Sequence, residues 1–168
     1  NNNKTGIFKY YSEGTRVSNS TFQREEGGIY SYSGFSMMNN NFFEDCSNYG
    51  AGIFLSEQAE ARGNQFLGLG SGLFMGMSSR MNVTRNEFNN SFIDLSNTYD
   101  SLIYDNKFID SNISGTGTGT RCNISKTPGK NIIGGPYLGG NYWSNYTGKD
   151  LDGDWIGDTD LPHWPGDQ

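Results

Sequence analysis

Four aspartates near the C-terminus, Asp150, Asp152, Asp154 and Asp158, recur at positions 1, 3, 5 and 9 of a short loop. A hard divalent cation such as Ca2+ takes about six to eight oxygen ligands, and short Asp side chains on alternating residues supply them without crowding. The carbonyl of Ile156 then falls at position 7, and Gly153 and Gly157 let the chain turn tightly. A full calcium loop closes with a bidentate glutamate at position 12, but that position is Leu161, so Asp160 is the remaining candidate for a bidentate ligand. The spacing therefore points to Ca2+ as cofactor, held by Asp150, Asp152, Asp154, Ile156, Asp158 and Asp160.

Other residues that could do chemistry are scattered. His163 is the single histidine, which leaves one residue to serve any Ser-His-Asp triad. The methionines Met37, Met38, Met75, Met77 and Met81 are soft donors suited to copper, though Met37 and Met75 align with expected core positions, where Met fills gaps. A glycosidase needs two carboxyls facing one cleft at about 5–9.5 Å. Glu25, Glu26, Glu44, Asp45, Glu57, Asp94 and Asp110 are spread over different loops, and no pair stands out. No catalytic residue is assigned.

Sequons at Asn3, Asn19, Asn82, Asn89, Asn112, Asn123 and Asn145 are candidate glycosylation sites of an extracellular protein. The two cysteines, Cys46 and Cys122, could pair in an oxidising compartment. The net charge is −6, and the absence of any basic run speaks against nucleic acid, whose binding depends on clustered Lys and Arg. No stretch approaches the ~20 apolar residues of a membrane span, so no transmembrane segment is expected.

The elements that must position these residues come from a repeat. Asn-x-Phe returns as Asn40-Asn41-Phe42, Asn64-Gln65-Phe66, Asn86-Glu87-Phe88 and Asn106-Lys107-Phe108, with a degenerate copy at Ser20-Thr21-Phe22. A period of twenty-odd residues marks a solenoid. Two further ladders run in register: Ile7, Ile29, Ile53, Leu73, Ile93, and Val17, Met37, Ala61, Val83, Ile103. Ile124, Ile132 and Tyr137 extend the pattern to a sixth rung, where Gly135 replaces the Asn, and the Gly-Thr run at 115–120 reads as an inserted loop. Three short strands per turn make an all-β fold: a right-handed, single-stranded parallel β-helix of about six coils over residues 1–138, followed by a C-terminal capping segment over 139–168 with its Asp-rich loop. At ~4.8 Å per coil such a stack is about 30 Å tall. Stacked Asn side chains can hydrogen-bond along the axis, and Asn also tolerates a left-handed turn.

Alternation sorts the faces. With Ile53, Leu55, Ile93 and Leu95 inside, Phe8, Tyr30, Phe54 and Phe74 line up outside, with Tyr10 and Tyr32 beside them. Such a stripe is an interaction surface for sugar or protein. No amphipathic helix precedes the first coil, so that end is expected to be covered by further chain or another subunit, and end-to-end stacking would build a filament.

These coils, followed by Gly139-Gly140-Asn141-Tyr142-Trp143-Ser144-Asn145-Tyr146 and Asp150-Leu151-Asp152-Gly153-Asp154-Trp155-Ile156-Gly157-Asp158, resemble the NosD-like right-handed β-helix proteins. These include the carbohydrate-binding and sugar-hydrolase (CASH) repeats of archaeal, especially methanogen, surface proteins. Trp155 departs from that pattern, standing where such loops often carry Gly. The resemblance implies a secreted, periplasmic or cell-surface protein and no single activity. The expected function is a non-catalytic, calcium-stabilised extracellular β-helix that self-associates into a surface layer, sheath or filament; the alternative is a carbohydrate-binding or polysaccharide-cleaving module.

Overall fold

A computed structural model of the chain describes residues 5–68 and 70–161. The first coil is β1 (Ile7–Tyr10), β2 (Thr15–Ser18) and β3 (Thr21–Gln23), and the second is β4 (Gly27–Tyr32), β5 (Phe35–Asn39) and β6 (Phe42–Glu44). The third is β7 (Tyr49–Phe54), β8 (Glu60–Arg62) and β9 (Gln65–Leu67), and the fourth is β10 (Ser71–Gly76), β11 (Asn82–Thr84) and β12 (Glu87–Asn89). The fifth is β13 (Phe92–Tyr99), β14 (Leu102–Tyr104) and β15 (Lys107–Ile109). A sixth opens with β16 (Ile113–Thr118), makes an excursion holding the antiparallel pair β17 (Thr127–Pro128) and β18 (Tyr137–Leu138), and closes with β19 (Tyr142–Trp143). Three parallel sheets result, ordered β1-β4-β7-β10-β13-β16, β2-β5-β8-β11-β14 and β3-β6-β9-β12-β15-β19. The described residues contain no helix.

The register departs from the expected ladders in the second and third coils. On the first sheet the inward rung runs Ile7, Ile29, Ala51, Leu73, Ile93, Ile113, and Ile53 lies two residues on, between Ser31 and Met75. A shift of two keeps the side chain on the same face, so alternation alone cannot detect it. On the second sheet the rung is Val17, Met38, Ala61, Val83, Ile103; Met38 replaces the expected Met37, which is half-buried, while Met38 is fully buried. On the third it is Phe22, Phe43, Phe66, Phe88, Phe108, Trp143, with Phe43 in place of Phe42. Two adjacent Met and two adjacent Phe made that coil ambiguous by one. Leu55, expected inside, is 40% exposed and has φ 47, because it forms the corner beyond β7.

The core of the stack is a column of rings. Phe22, Phe43, Phe66, Phe88 and Phe108 lie nearly parallel, with centroids 4.8 to 5.1 Å apart, and Trp143 closes the column 4.2 Å from Phe108. A glycine ladder faces it. A Cβ on Gly28 would lie 2.5 Å from the Gly50 carbonyl oxygen and 2.6 Å from the Phe43 ring; one on Gly50 would lie 2.7 Å from both the Gly72 carbonyl oxygen and the Phe66 ring. No side chain fits between ring and backbone, so glycine is required there for space.

The Asn ladder consists of Asn41, Asn64, Asn86 and Asn106, all buried, and the half-buried Asn141. Each Oδ1 accepts the backbone N–H of the preceding Asn, at 2.9 to 3.1 Å, and Asn41 does the same for Ser20. Each Nδ2 donates to the carbonyl of Val17, Met38, Ala61, Val83 or Ile103, which ties the third sheet to the second. The left-handed backbone expected of the repeat Asn residues is found at Asn40, and otherwise one position before Ser20, Asn64, Asn86 and Asn106, at Asn19, Gly63, Arg85 and Asp105.

The sixth rung is therefore Asn141-Tyr142-Trp143, whose Asn and ring continue both columns, and Tyr137 belongs to β18. The Gly-Thr run is paired structure, since Ile113–Thr118 forms β16 against β13. The true insertion spans 123–140, and the stack continues through Trp143, past the boundary expected at 138.

Candidate functional site at the C-terminal end

The excursion and the Asp-rich loop meet over the last coil. Asp105, at the corner before β15, is 3% exposed. Its Oδ2 lies 3.0 Å from Arg85 Nε, and its Oδ1 accepts the Ile132 N–H at 2.6 Å. Arg85 also donates to the Lys130 carbonyl at 2.7 Å. This pair latches the excursion to the stack. Burial pushes the Asp105 carboxyl up, against the pull of the Ile132 N–H and Arg85.

The loop itself is built around Asp150. Its carboxylate accepts the N–H groups of Gly153 at 2.7 Å, Asp154 at 3.2 Å and Trp155 at 2.8 Å. Asp154 Oδ1 accepts the Ile156 N–H at 2.8 Å, and Asp158 Oδ2 accepts the Leu151 N–H at 2.7 Å. Trp155 N–H and its neighbours hold the Asp150 carboxyl below the usual range; Lys126 does the same for Asp154. Lys126 reaches from the excursion to Asp154 and to Asp152 Oδ2, 3.6 Å away, and lies over the Tyr137 ring at 4.7 Å. The Asp154 contact raises the lysine's own affinity for its proton. Tyr146 donates to the Thr159 carbonyl and anchors the loop's far end.

Asp150, Asp152 and Asp158 can bring one oxygen each within 4.8 Å of one another. Asp154 is instead turned to Lys126. Asp160 is exposed with φ 55 and lies outside that group. Ile156, the carbonyl candidate, is half-buried, and its side chain packs against Gly139.

Opposite pH responses follow. Asp105 has a raised pKa, so the folded chain binds its proton more readily than the unfolded chain does. Its charge is a cost at neutral pH that is relieved as pH falls through the raised value toward the ordinary carboxylate range near ~4. Asp150 and Asp154 have depressed pKa values, so their contribution is present above ~4 and lost as pH falls through the depressed values. Hydrogen exchange of the Ile132 and Trp155 amides at stepped pH is expected to show Trp155 losing protection first on acidification, below pH ~4. Earlier loss at Ile132 would contradict the latch.

The aromatic stripe is outside, as two columns. Phe8 stacks on Tyr30 at 5.0 Å and Tyr10 on Tyr32 at 5.1 Å. Phe54 pairs in register with Tyr32, yet its ring leans over Gly52 to stand between Tyr30, 5.1 Å away, and Phe74, 4.9 Å away. Tyr11 and Tyr49 join the patch, at 4.4 Å from Tyr10 and 6.3 Å from Tyr30. Tyr11 was legible as the neighbour of Tyr10; Tyr49 needed the register. Phe8, Tyr10 and Tyr11 are 67%, 59% and 65% exposed. Within the columns ring faces are spent on one another, whereas Phe8, at the end of its column, is stacked on one ring only among the described residues.

The remaining candidates fall as follows. Cys46 and Cys122 are buried and not joined. Cys46 follows β6 at a corner of the second coil, whereas Cys122 follows Arg121, which bridges to Leu102 at the sixth rung of the second sheet. A disulfide spans only about 4.4–6.8 Å between Cα atoms, and four rungs separate these coils. Of the sequons, Asn19, Asn82, Asn112 and Asn145 are exposed, Asn89 and Asn123 are half-buried, and Asn3 lies outside the described residues, as does His163. Three of the carboxylates considered for catalysis contact other side chains along the stack: Glu26 accepts from Asn48, Glu44 from Gln23, and Glu57 pairs with Arg80. Among the described residues no helix is long and apolar enough to cross a membrane.

Fold and site define a parallel β-solenoid protein with an acidic loop folded over its last coil. The chain belongs to the periplasmic copper-binding protein (NosD) family, whose model matches residues 1–148. No curated protein and no solved structure matches it. The Asp-rich loop begins just past the matched region. Copper as a soft-ligand metal does not fit the described residues. Met38, Met75 and Met81 are buried in the core, Met77 is 50% exposed at a corner, and the thiols lie on different coils. The acidic group offers hard oxygen donors, which suit Ca2+, Mg2+ or Mn2+.

Proposed function

We propose that this chain is a non-catalytic scaffold acting outside the cytoplasm, in the periplasm or at the cell surface, and that copies of it associate through the aromatic stripe. The observation that carries the reading is the exposed cluster of Phe8, Tyr10 and Tyr11 at the end of two stacked columns. That is more apolar surface than an isolated ring needs to expose. Light scattering over a concentration series tests it: the native chain is expected to grow in mass, and a Phe8→Ser, Tyr10→Ser variant to stay monomeric. A native chain that stays monomeric while co-sedimenting with insoluble polysaccharide would reverse the choice.

Calcium at Asp150, Asp152 and Asp158 is the second part of the proposal, supported by the convergence of those carboxylates. Calcium tenfold above its Kd would stabilise the fold by about 1.4 kcal/mol, or about 3–5 °C in Tm for a chain of this size. An unchanged Tm with no metal retained after dialysis removes this part. Glycans at Asn19, Asn82, Asn112 and Asn145 would be compatible with all these contacts, since those side chains are exposed.

A further inference from the structure

Between the last coil and the Asp-rich loop lies a cavity of about 680 Å³. That is the size of a small-molecule site. Tyr137, Trp143, Tyr146 and Trp155 form much of its wall, and five aspartates line it against one lysine. Asp105 is matched by Arg85 from behind, and Asp154 by Lys126. No ion pair among the described residues involves Asp150 or Asp158.

Two observations say what such a cavity takes. The first is Lys126. Its ammonium lies over the Tyr137 ring at 4.7 Å with Asp152 and Asp154 beside it. An ammonium is thus already seated here between an aromatic face and carboxylates, the arrangement that recognises organic cations. The second is Trp155. A bulky residue in left-handed backbone is an outlier, yet Trp155 has φ 71 and is held there by the Asp150 carboxylate. Its side chain leans on Gly135 and remains 54% exposed at the cavity wall. Such local strain tends to be kept where a ligand is clamped. The stack does not use this indole.

We infer that the cavity binds a small organic cation, an alkylated ammonium group packed against Trp155 with Asp150 and Asp158 as counter-ions. This site stands apart from the stripe and does not require the calcium reading. The two share Asp150 and Asp158, so calcium and the ammonium compete.

Choline and its neutral carbon isostere, dimethylbutanol, are the probes, titrated by calorimetry against the whole chain in chelator and again in calcium. Choline is expected to bind at least ~10-fold more tightly than the isostere, a difference of about 1.4 kcal/mol, and to weaken when calcium is added. Trp155→Ala and Asp158→Asn are each expected to weaken choline several-fold, with the core Tm unchanged in Trp155→Ala. Equal affinity for both probes, or no loss in Trp155→Ala, overturns the inference. Choline that fails to bind in chelator while calcium binds overturns it and leaves the calcium reading standing; the reverse result removes calcium alone.

Discussion

Replacing Asn64 by leucine is expected to lower stability by about 3–5 kcal/mol, although the two side chains have similar volume. Asn64 is fully buried and makes four side-chain hydrogen bonds. Leucine would strip acceptors from the Asn41 N–H and Asn41 Nδ2, and a donor from the Met38 carbonyl. A buried polar group left without its partner costs about 1–3 kcal/mol, far more than the net worth of a made bond. The loss would be a large share of a total stability of about 5–15 kcal/mol. The contrast is Asn40, exposed, with φ 55. Its replacement by alanine is expected to cost about 1–2 kcal/mol through the left-handed backbone alone. Urea unfolding of both variants checks the pair, and equal losses would mean that Asn64 is not carrying the ladder.

The second large effect is expected from Phe66→Ala, at about 3–5 kcal/mol. Phe66 is 1% exposed and is stacked on both faces, 4.8 Å from Phe43 and 4.8 Å from Phe88. Those neighbours are fixed by their own rungs and cannot close the gap, which is the condition under which a cavity costs most. Gly50→Ala tests the opposite error. Its methyl would meet both the Phe66 ring and the Gly72 carbonyl oxygen, and overpacking of this kind costs about 1–3 kcal/mol. The double variant should be better than the sum, because removing the ring relieves one contact, but worse than Phe66→Ala alone, because the carbonyl stays. Strict additivity would show that glycine and ring do not share one space.

Much of the fold was legible in the repeat. An apolar residue returning every twenty-odd positions is buried by stacking short strands, so the three-sided architecture followed, and so did the inside-outside sorting except at Leu55. Ser20 and Phe22 were read as a degenerate rung, and the Asn side chains as an axial ladder, and both hold. What failed was register wherever a second apolar residue lay one or two positions away. Met37 or Met38, Phe42 or Phe43, and Ile53 against Ala51 differ by one or two places that composition does not separate. The contacts decided them: the buried Asn41 chooses Phe43, and the glycine under Phe66 is Gly50.

The site divides in the same way. Asp150, Asp152, Asp154 and Asp158 were read as one group because a loop ligand set is local in sequence. The diversion of Asp154 to Lys126 was not legible there, nor was the Asp105–Arg85 latch, because both join the excursion to residues more than twenty positions away. The chain by itself determined the period, the faces, the acidic loop and the family it resembles. Only the tertiary structure decided where the stack ends, at Trp143, and that the excursion and loop enclose an acidic, aromatic cavity there. The physical reason is that a solenoid's rungs repeat a local pattern that periodicity reveals, whereas its end is covered by segments that meet once and repeat nothing.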